Sequence, residues 1–130
     1  MRRSGAAIAQ LLFGLVAVLL VDTASAHGVG AEGQWDRDDG LGGVRIATCG
    51  DALCGHIVWL RDADSPAHVG ERVLYDMKQT AENTWTGSAF NPEDGRDYAG
   101  SLILTGDHLV TRGCVFGGLI CRSVPLTRAR

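Results

Sequence analysis

The sequence has no excess of positive charge: 12 Lys and Arg stand against 15 Asp and Glu, a formal net charge of −3 with histidine neutral. Nucleic acids and anionic membrane surfaces draw on basic patches, so neither is an expected partner. The common enzyme signatures are missing as well. No H-E-x-x-H, G-x-S-x-G, P-loop or C-x-x-C occurs, which removes the readings as zinc protease, serine hydrolase, nucleotide hydrolase or dithiol redox protein that rest on short spacings. Carboxylate pairs fall only in turn-like stretches, where hydration accounts for them. The expectation is a protein that is not an enzyme and carries no cofactor. Helical periodicity, internal repeats and low-complexity segments are absent from residues 27–130, which leaves strands as the building element.

What is present begins with an address. Arg2 and Arg3 precede an apolar run over residues 6–21, and Ala24-Ser25-Ala26 offers small residues to signal peptidase. A charged start, an apolar centre and an A-x-A end read as a secretory signal peptide, residues 1–26, ahead of a single domain, residues 27–130. The run is short for a membrane span, and no second apolar segment follows that could cross a bilayer. Removing Arg2, Arg3 and Asp22 makes the remaining chain one charge more negative. The expected location is the periplasm or the extracellular medium.

Four cysteines in an exported chain read first as disulfides. Of the three connectivities, local pairing is preferred, Cys49–Cys54 and Cys114–Cys121, because each pair straddles a turn. Zinc is the rival, but no C-x2-C or nearby histidine at ligand spacing supports it, and no metal site is expected.

Residues 98–128 carry the clearest pattern. Apolar and β-branched runs are broken by Gly106-Asp107 and Gly117-Gly118, turn pairs suited to tight hairpins. Those turns set Leu104 opposite Leu109, Leu102 opposite Thr111, Val115 opposite Ile120 and Cys114 opposite Cys121. Upstream, strands read near Trp35, over 44–49, 54–60, 73–77 and 84–90. Residues 61–71 form the longest loop, and Pro92 and Gly95 set a turn. Gly28-x-Gly30-x-x-Gly33 matches a dinucleotide fingerprint only superficially, since no strand precedes it and no helix follows. About eight short strands with short links predict an all-β, eight-stranded antiparallel up-and-down barrel.

Gly33-x-Trp35 on the first strand and Arg128 on the last resemble the lipocalin (calycin) arrangement, in which a basic side chain covers the tryptophan at the closed end. A fuller resemblance runs through Val44-Arg45-Ile46-Ala47-x-Cys49, Leu53-Cys54-Gly55-x-Ile57-Val58-Trp59-Leu60, Trp85-x-Gly87, Asn91-Pro92-Glu93-Asp94-Gly95-x-x-Tyr98-x-Gly100, Leu109-Val110-x-Arg112-Gly113-Cys114 and Cys121-Arg122-Ser123. In order and spacing these are similar to domain-of-unknown-function family 2147, small exported bacterial proteins. The resemblance implies a lipocalin-like barrel and carries no established activity. Leu126-Thr127-Arg128 departs from the Trp-Thr-Arg-like ending of that family.

Carried round the barrel, the inward face places Trp59, Tyr75, Trp85, Tyr98, Leu102 and Val115 around an interior, with Arg122 opposite Gly113 nearer the open end. An apolar pocket with one cation suits a small apolar or acidic-headed ligand. The plainer alternative is that these side chains fill the barrel and the protein acts through its surface, as an interaction or envelope-stress protein, with Ile103 and Val110 turned outward. Asp36, Asp38, Asp39, Asp62, Asp64, Glu93, Asp94 and Asp97 read as a hydrated acidic rim; Asp36-x-Asp38-Asp39-Gly40 lacks the later glutamate of a calcium loop. A third reading is metal handling through His27 as a new N-terminus.

Overall fold

Every alternating stretch between turn residues forms a strand. In order these are β1 (Gly33–Arg37), β2 (Gly42–Cys49), β3 (Ala52–Leu60), β4 (Arg72–Ala81), β5 (Thr84–Asn91), β6 (Arg96–Thr105), β7 (His108–Val115) and β8 (Ile120–Arg128). The computed structural model describes residues 30–130 and the isolated positions Gly14, Val16 and Ala17. Apart from those three positions, the expected signal peptide lies outside the described residues, as do its cleavage site and His27. Each strand pairs antiparallel with the next, and β8 returns to β1, so the sheet closes into an up-and-down barrel without a free edge. The hairpin registers are those the turns require. Leu104 faces Leu109 and Leu102 faces Thr111; Val115 faces Ile120 and Cys114 faces Cys121. Both local disulfides are closed, Cys49–Cys54 and Cys114–Cys121, with Cα atoms 5.6 and 4.1 Å apart.

Connections alternate between the two ends. Tight turns at 50–51, 82–83 and 106–107 share one end with the segments 30–32 and 129–130; longer connections at 38–41, 61–71, 92–95 and 116–119 share the other. We call these the turn end and the mouth. Packing is densest toward the turn end, where Trp35, Ile46, Met77, Leu102 and Leu109 are fully buried. Trp35 Nε1 donates to Ala31 O at 2.8 Å. The Arg128 guanidinium lies 4.3 Å above the indole, and its Nη atoms donate to the Glu32 and Gly30 carbonyls at 3.0 Å each. One side chain thus closes the end by stacking and by satisfying backbone acceptors. Gly33 has φ 126°, and a Cβ there would stand 3.0 Å from Arg128 Nη1, so β1 begins with the residue that fits beneath the guanidinium. Leu126 faces Leu109 and is 2% exposed. Aliphatic packing fills the place where the resembled family carries an aromatic ring.

Simple alternation fails in two strands, and both failures correct the expected inward face. Val44 is opposite Ile57 but Gly43 is opposite Trp59, so Val58 is an extra residue. Trp59 therefore lies on the outer face with Asp36 and Gly43, its Nε1 donating to Asp36 Oδ1 at 2.8 Å. A Cβ on Gly43 would collide with the indole. In β4, Arg72 is opposite His56, Leu74 opposite Gly55 and Met77 opposite Leu53, which leaves extra residues at Val73 and within Tyr75-Asp76. Asp76 takes φ 50°, a left-handed conformation that aspartate tolerates better than most residues. Leu74 and Met77 enter the core, Val73 packs at its flank, and Tyr75 turns outward beneath Arg72. Gly87 accepts the bulge, because any Cβ there would meet the Tyr75 and Asp76 carbonyl oxygens.

Candidate functional site

Interior positions divide by depth. Trp85 and Leu102 face each other across β5 and β6 and are 8% and 0% exposed. Met77 fills the space over Gly100, where a Cβ would be 2.8 Å from its Cε. These three form a packed floor, and Val44, Ala89 and Val124 close against it. Toward the mouth, Tyr98 covers Gly113, whose added Cβ would lie 3.1 Å from Tyr98 Cβ. Beyond this level the inner-face positions Ile120 and Arg122 are exposed.

The rim is built by the β7–β8 hairpin. Val115 and Ile120 pair, and the connection between them carries three successive residues of positive φ, Phe116, Gly117 and Gly118. Phe116 is 74% exposed, Leu119 83% and Ile120 54%. A phenylalanine in the left-handed region costs about 1–2 kcal/mol, and burial does not offset it here. The Cys114–Cys121 bond closes the base of this tip. Arg122 follows, opposite Gly113 on the inner face. Among the described residues no carboxylate lies within ion-pair distance of it.

Tyr98 reaches the rim through its hydroxyl, which donates to Asp94 Oδ2 in the 92–95 connection. That hydrogen bond is the main reason the Asp94 carboxyl ionises below its ordinary pKa and the Tyr98 phenol above it. The Arg122 charge acts on both groups, lowering each. At neutral pH the mouth thus holds an ionised Asp94, a protonated Tyr98 and an unpaired guanidinium.

The structure brings Tyr98, Val115 and Arg122 together at the mouth, puts Trp85 and Leu102 in the floor beneath them, and removes Trp59 and Tyr75 to the outside. Trp35 and Arg128 occupy the opposite end. Phe116 and Leu119 were not singled out from the sequence, although two apolar residues flanking Gly117-Gly118 at a hairpin tip are a readable signal. A depression of about 80 Å³ at the turn end, lined by Asp107, Thr127, Arg128, Ala129 and Arg130, is too small for an organic ligand.

The acidic loop residues do not converge on an ion. Asp36 accepts from Trp59, Asp38 from the Thr127 hydroxyl at 2.7 Å, and Asp39 from Arg37 at 2.6 Å. The Arg37 hydrogen bond lowers the Asp39 pKa. His108 Nδ1 lies 3.5 Å from the same Thr127 hydroxyl. This is not a nucleophile triad, in which the imidazole stands between carboxylate and hydroxyl; here the hydroxyl stands between and gives its proton to the carboxylate. Among the described residues no three His, Cys, Asp or Glu side chains group as metal ligands.

A closed eight-stranded antiparallel meander around a packed core defines a lipocalin-type barrel. The solved structure of protein HP1028 from Helicobacter pylori, described as belonging to the lipocalin family, is similar over 78% of this chain and 84% of that chain, with a TM-score of 0.63 and 14% identity. At that identity the likeness concerns the fold. Residues 33–128 match the family described as "Uncharacterized protein conserved in bacteria (DUF2147)", and the chain belongs to it. No curated protein matches the chain.

Proposed function

We propose that this chain is an exported, non-catalytic binder that takes a small ligand with an apolar body and an acidic head at the mouth of the barrel. The observation that carries this reading is the β7–β8 tip: Phe116, Leu119 and Ile120 are exposed on a disulfide-closed hairpin beside the unpaired Arg122. Strain and solvent exposure at Phe116 do nothing for stability, so a contact partner explains them better. The apolar body of the ligand lies across the tip and Val115, and its acidic group meets Arg122 with Tyr98 as a side wall. Trp85 and Leu102 support the site from below. Two disulfides support a non-cytoplasmic compartment, periplasmic or extracellular.

The test is calorimetric titration with dodecanoate and with dodecanol. Arg122→Ala is expected to weaken dodecanoate by about tenfold and to leave dodecanol unchanged, since only the carboxylate loses a charge-assisted bond. Equal dodecanoate affinity in both proteins takes Arg122 out of the site. A second reading, an interaction protein acting through its outer wall, draws on Ile103, which is 42% exposed and pairs with Val110. Native mass spectrometry of the protein from its producing cell separates the two: a retained small-molecule adduct favours the mouth, a protein adduct the wall.

A further inference from the structure

A row of nitrogen-bearing side chains crosses the outer wall of four consecutive strands. Gln34 on β1 is opposite Arg45 on β2, Arg45 is opposite His56 on β3, and His56 is opposite Arg72 on β4. All four share one face, since opposed residues of a sheet point the same way. Arg45 and Arg72 stand on either side of the His56 imidazole, two like charges gathered on one wall. No carboxylate offsets them: among the described residues the ion pairs are Arg37–Asp39, Lys78–Asp51 and Arg128–Asp107. The chain as a whole is acidic, so the row is not a sample of a generally basic surface.

The bulges in β4 build this row. Residues two apart in a strand share a face, so without the extra residue at Val73 the inward Leu74 would carry Arg72 inward with it. The bulge turns Arg72 out, opposite His56. The second bulge turns Tyr75 out, and the Arg72 guanidinium carbon sits 5.3 Å from the centre of its ring. Arg72 Nε also donates to His56 Nε2 across a long 3.4 Å, which in the neutral ring leaves the proton on Nδ1. Held on two sides, Arg72 keeps its terminal Nη donors for something else. Arg45 stands on the far side of His56, about 10 Å from Arg72 by strand spacing, so two long side chains can converge on one group above the imidazole.

We propose that Arg45, His56 and Arg72 form a binding site for a phosphate group, carried by a soluble molecule or by a lipid headgroup. Guanidinium forks match the oxygen spacing of phosphate in paired hydrogen bonds, and two of them complement its double charge. The site lies on the outer wall and is independent of the mouth.

Inorganic phosphate titrated into the disulfide-bonded protein, followed by NMR, is expected to saturate in the millimolar range and to move the Arg45, His56 and Arg72 resonances first. Arg45→Gln with Arg72→Gln should weaken this binding by about tenfold or more. The same pair should remain folded, with the thermal midpoint moved by no more than about 5 °C, because both side chains lie on the outer wall; loss of binding is then not loss of fold. Arg112→Gln, on the outer face of β7 opposite Ser101 and away from the row, leaves phosphate binding unchanged. Cosedimentation with phosphatidic acid vesicles, and not with phosphatidylcholine alone, assigns the lipid source, and a response to free phosphate without cosedimentation assigns the soluble one. Binding that survives the double substitution, or no response to either probe, overturns the proposal.

Discussion

The turn end and the mouth of the barrel are made by the same strands and answer to different demands. At the turn end Trp35 is fully buried and Arg128 stacks on it while bonding two carbonyls. At the mouth Phe116 and Leu119 are mostly in water, and Arg122 has no carboxylate at ion-pair distance. Buried apolar area stabilises a fold and exposed apolar area does not, so the first end accounts for stability and the second carries the proposed recognition. Substitutions should therefore separate the two properties.

The largest effect belongs to the turn end. Trp35→Ala is expected to lower unfolding stability by about 3–5 kcal/mol, because the cavity is lined on all sides by packed residues. Urea denaturation with both disulfides intact measures it, and a loss under 1 kcal/mol (about a single surface contact) would contradict the assignment of this end as the core. The disulfides come next. Replacing either cysteine pair by serine should cost about 2–3 kcal/mol on loop-entropy grounds, but only the Cys114–Cys121 pair should change dodecanoate affinity. If both pairs alter binding equally, the mouth is not the site.

Phe116→Gly is smaller and has the opposite sign pattern. It relieves the positive φ at Phe116, so stability should hold or rise by less than about 1 kcal/mol, while dodecanoate binding weakens. A parallel fall in both would mean that the ring packs in the folded state after all. The smallest effect is the pH response of the Tyr98–Asp94 pair. Asp94 has a lowered pKa in the fold, so its contribution is complete above the ordinary carboxylate value and disappears as pH falls through the folded one. Tyr98 has a raised pKa, so its contribution is complete below the ordinary phenol value and disappears as pH rises through the folded one. Asp94→Asn should bring the Tyr98 ionisation back down in an absorbance titration; an unmoved titration would break the link between them.

Legibility followed the same division. Trp35 and Arg128 could be matched across the chain through their resemblance to the lipocalin arrangement, with which a meander laying its last strand beside its first agrees, and the two residues stack as that resemblance implies. Phe116 and Leu119 were passed over because alternation identifies what is buried and is silent about apolar residues left in water. The acidic rim was readable as a set of residues, but the partners of Asp36, Asp38 and Asp39 were not, since Trp59 and Thr127 come from distant parts of the sequence.

Two-residue periodicity, turn chemistry and cysteine spacing are local, and they were enough to fix the register of the last two hairpins, to favour both disulfides and barrel closure, and to place the strands, apart from β4, which was expected over 73–77 and runs Arg72–Ala81. Three decisions belonged to the tertiary structure: the outward turn of Trp59, the exchange of Tyr75 for Leu74 in the core, and the alignment of Arg72 with His56 and Arg45. Each depends on a single inserted residue, at Val58, at Val73 or within Tyr75-Asp76. Alternation along one strand cannot count such an insertion, because whether a bulge forms is decided by what the neighbouring strand has room to accept. Gly43 and Gly87 are that room.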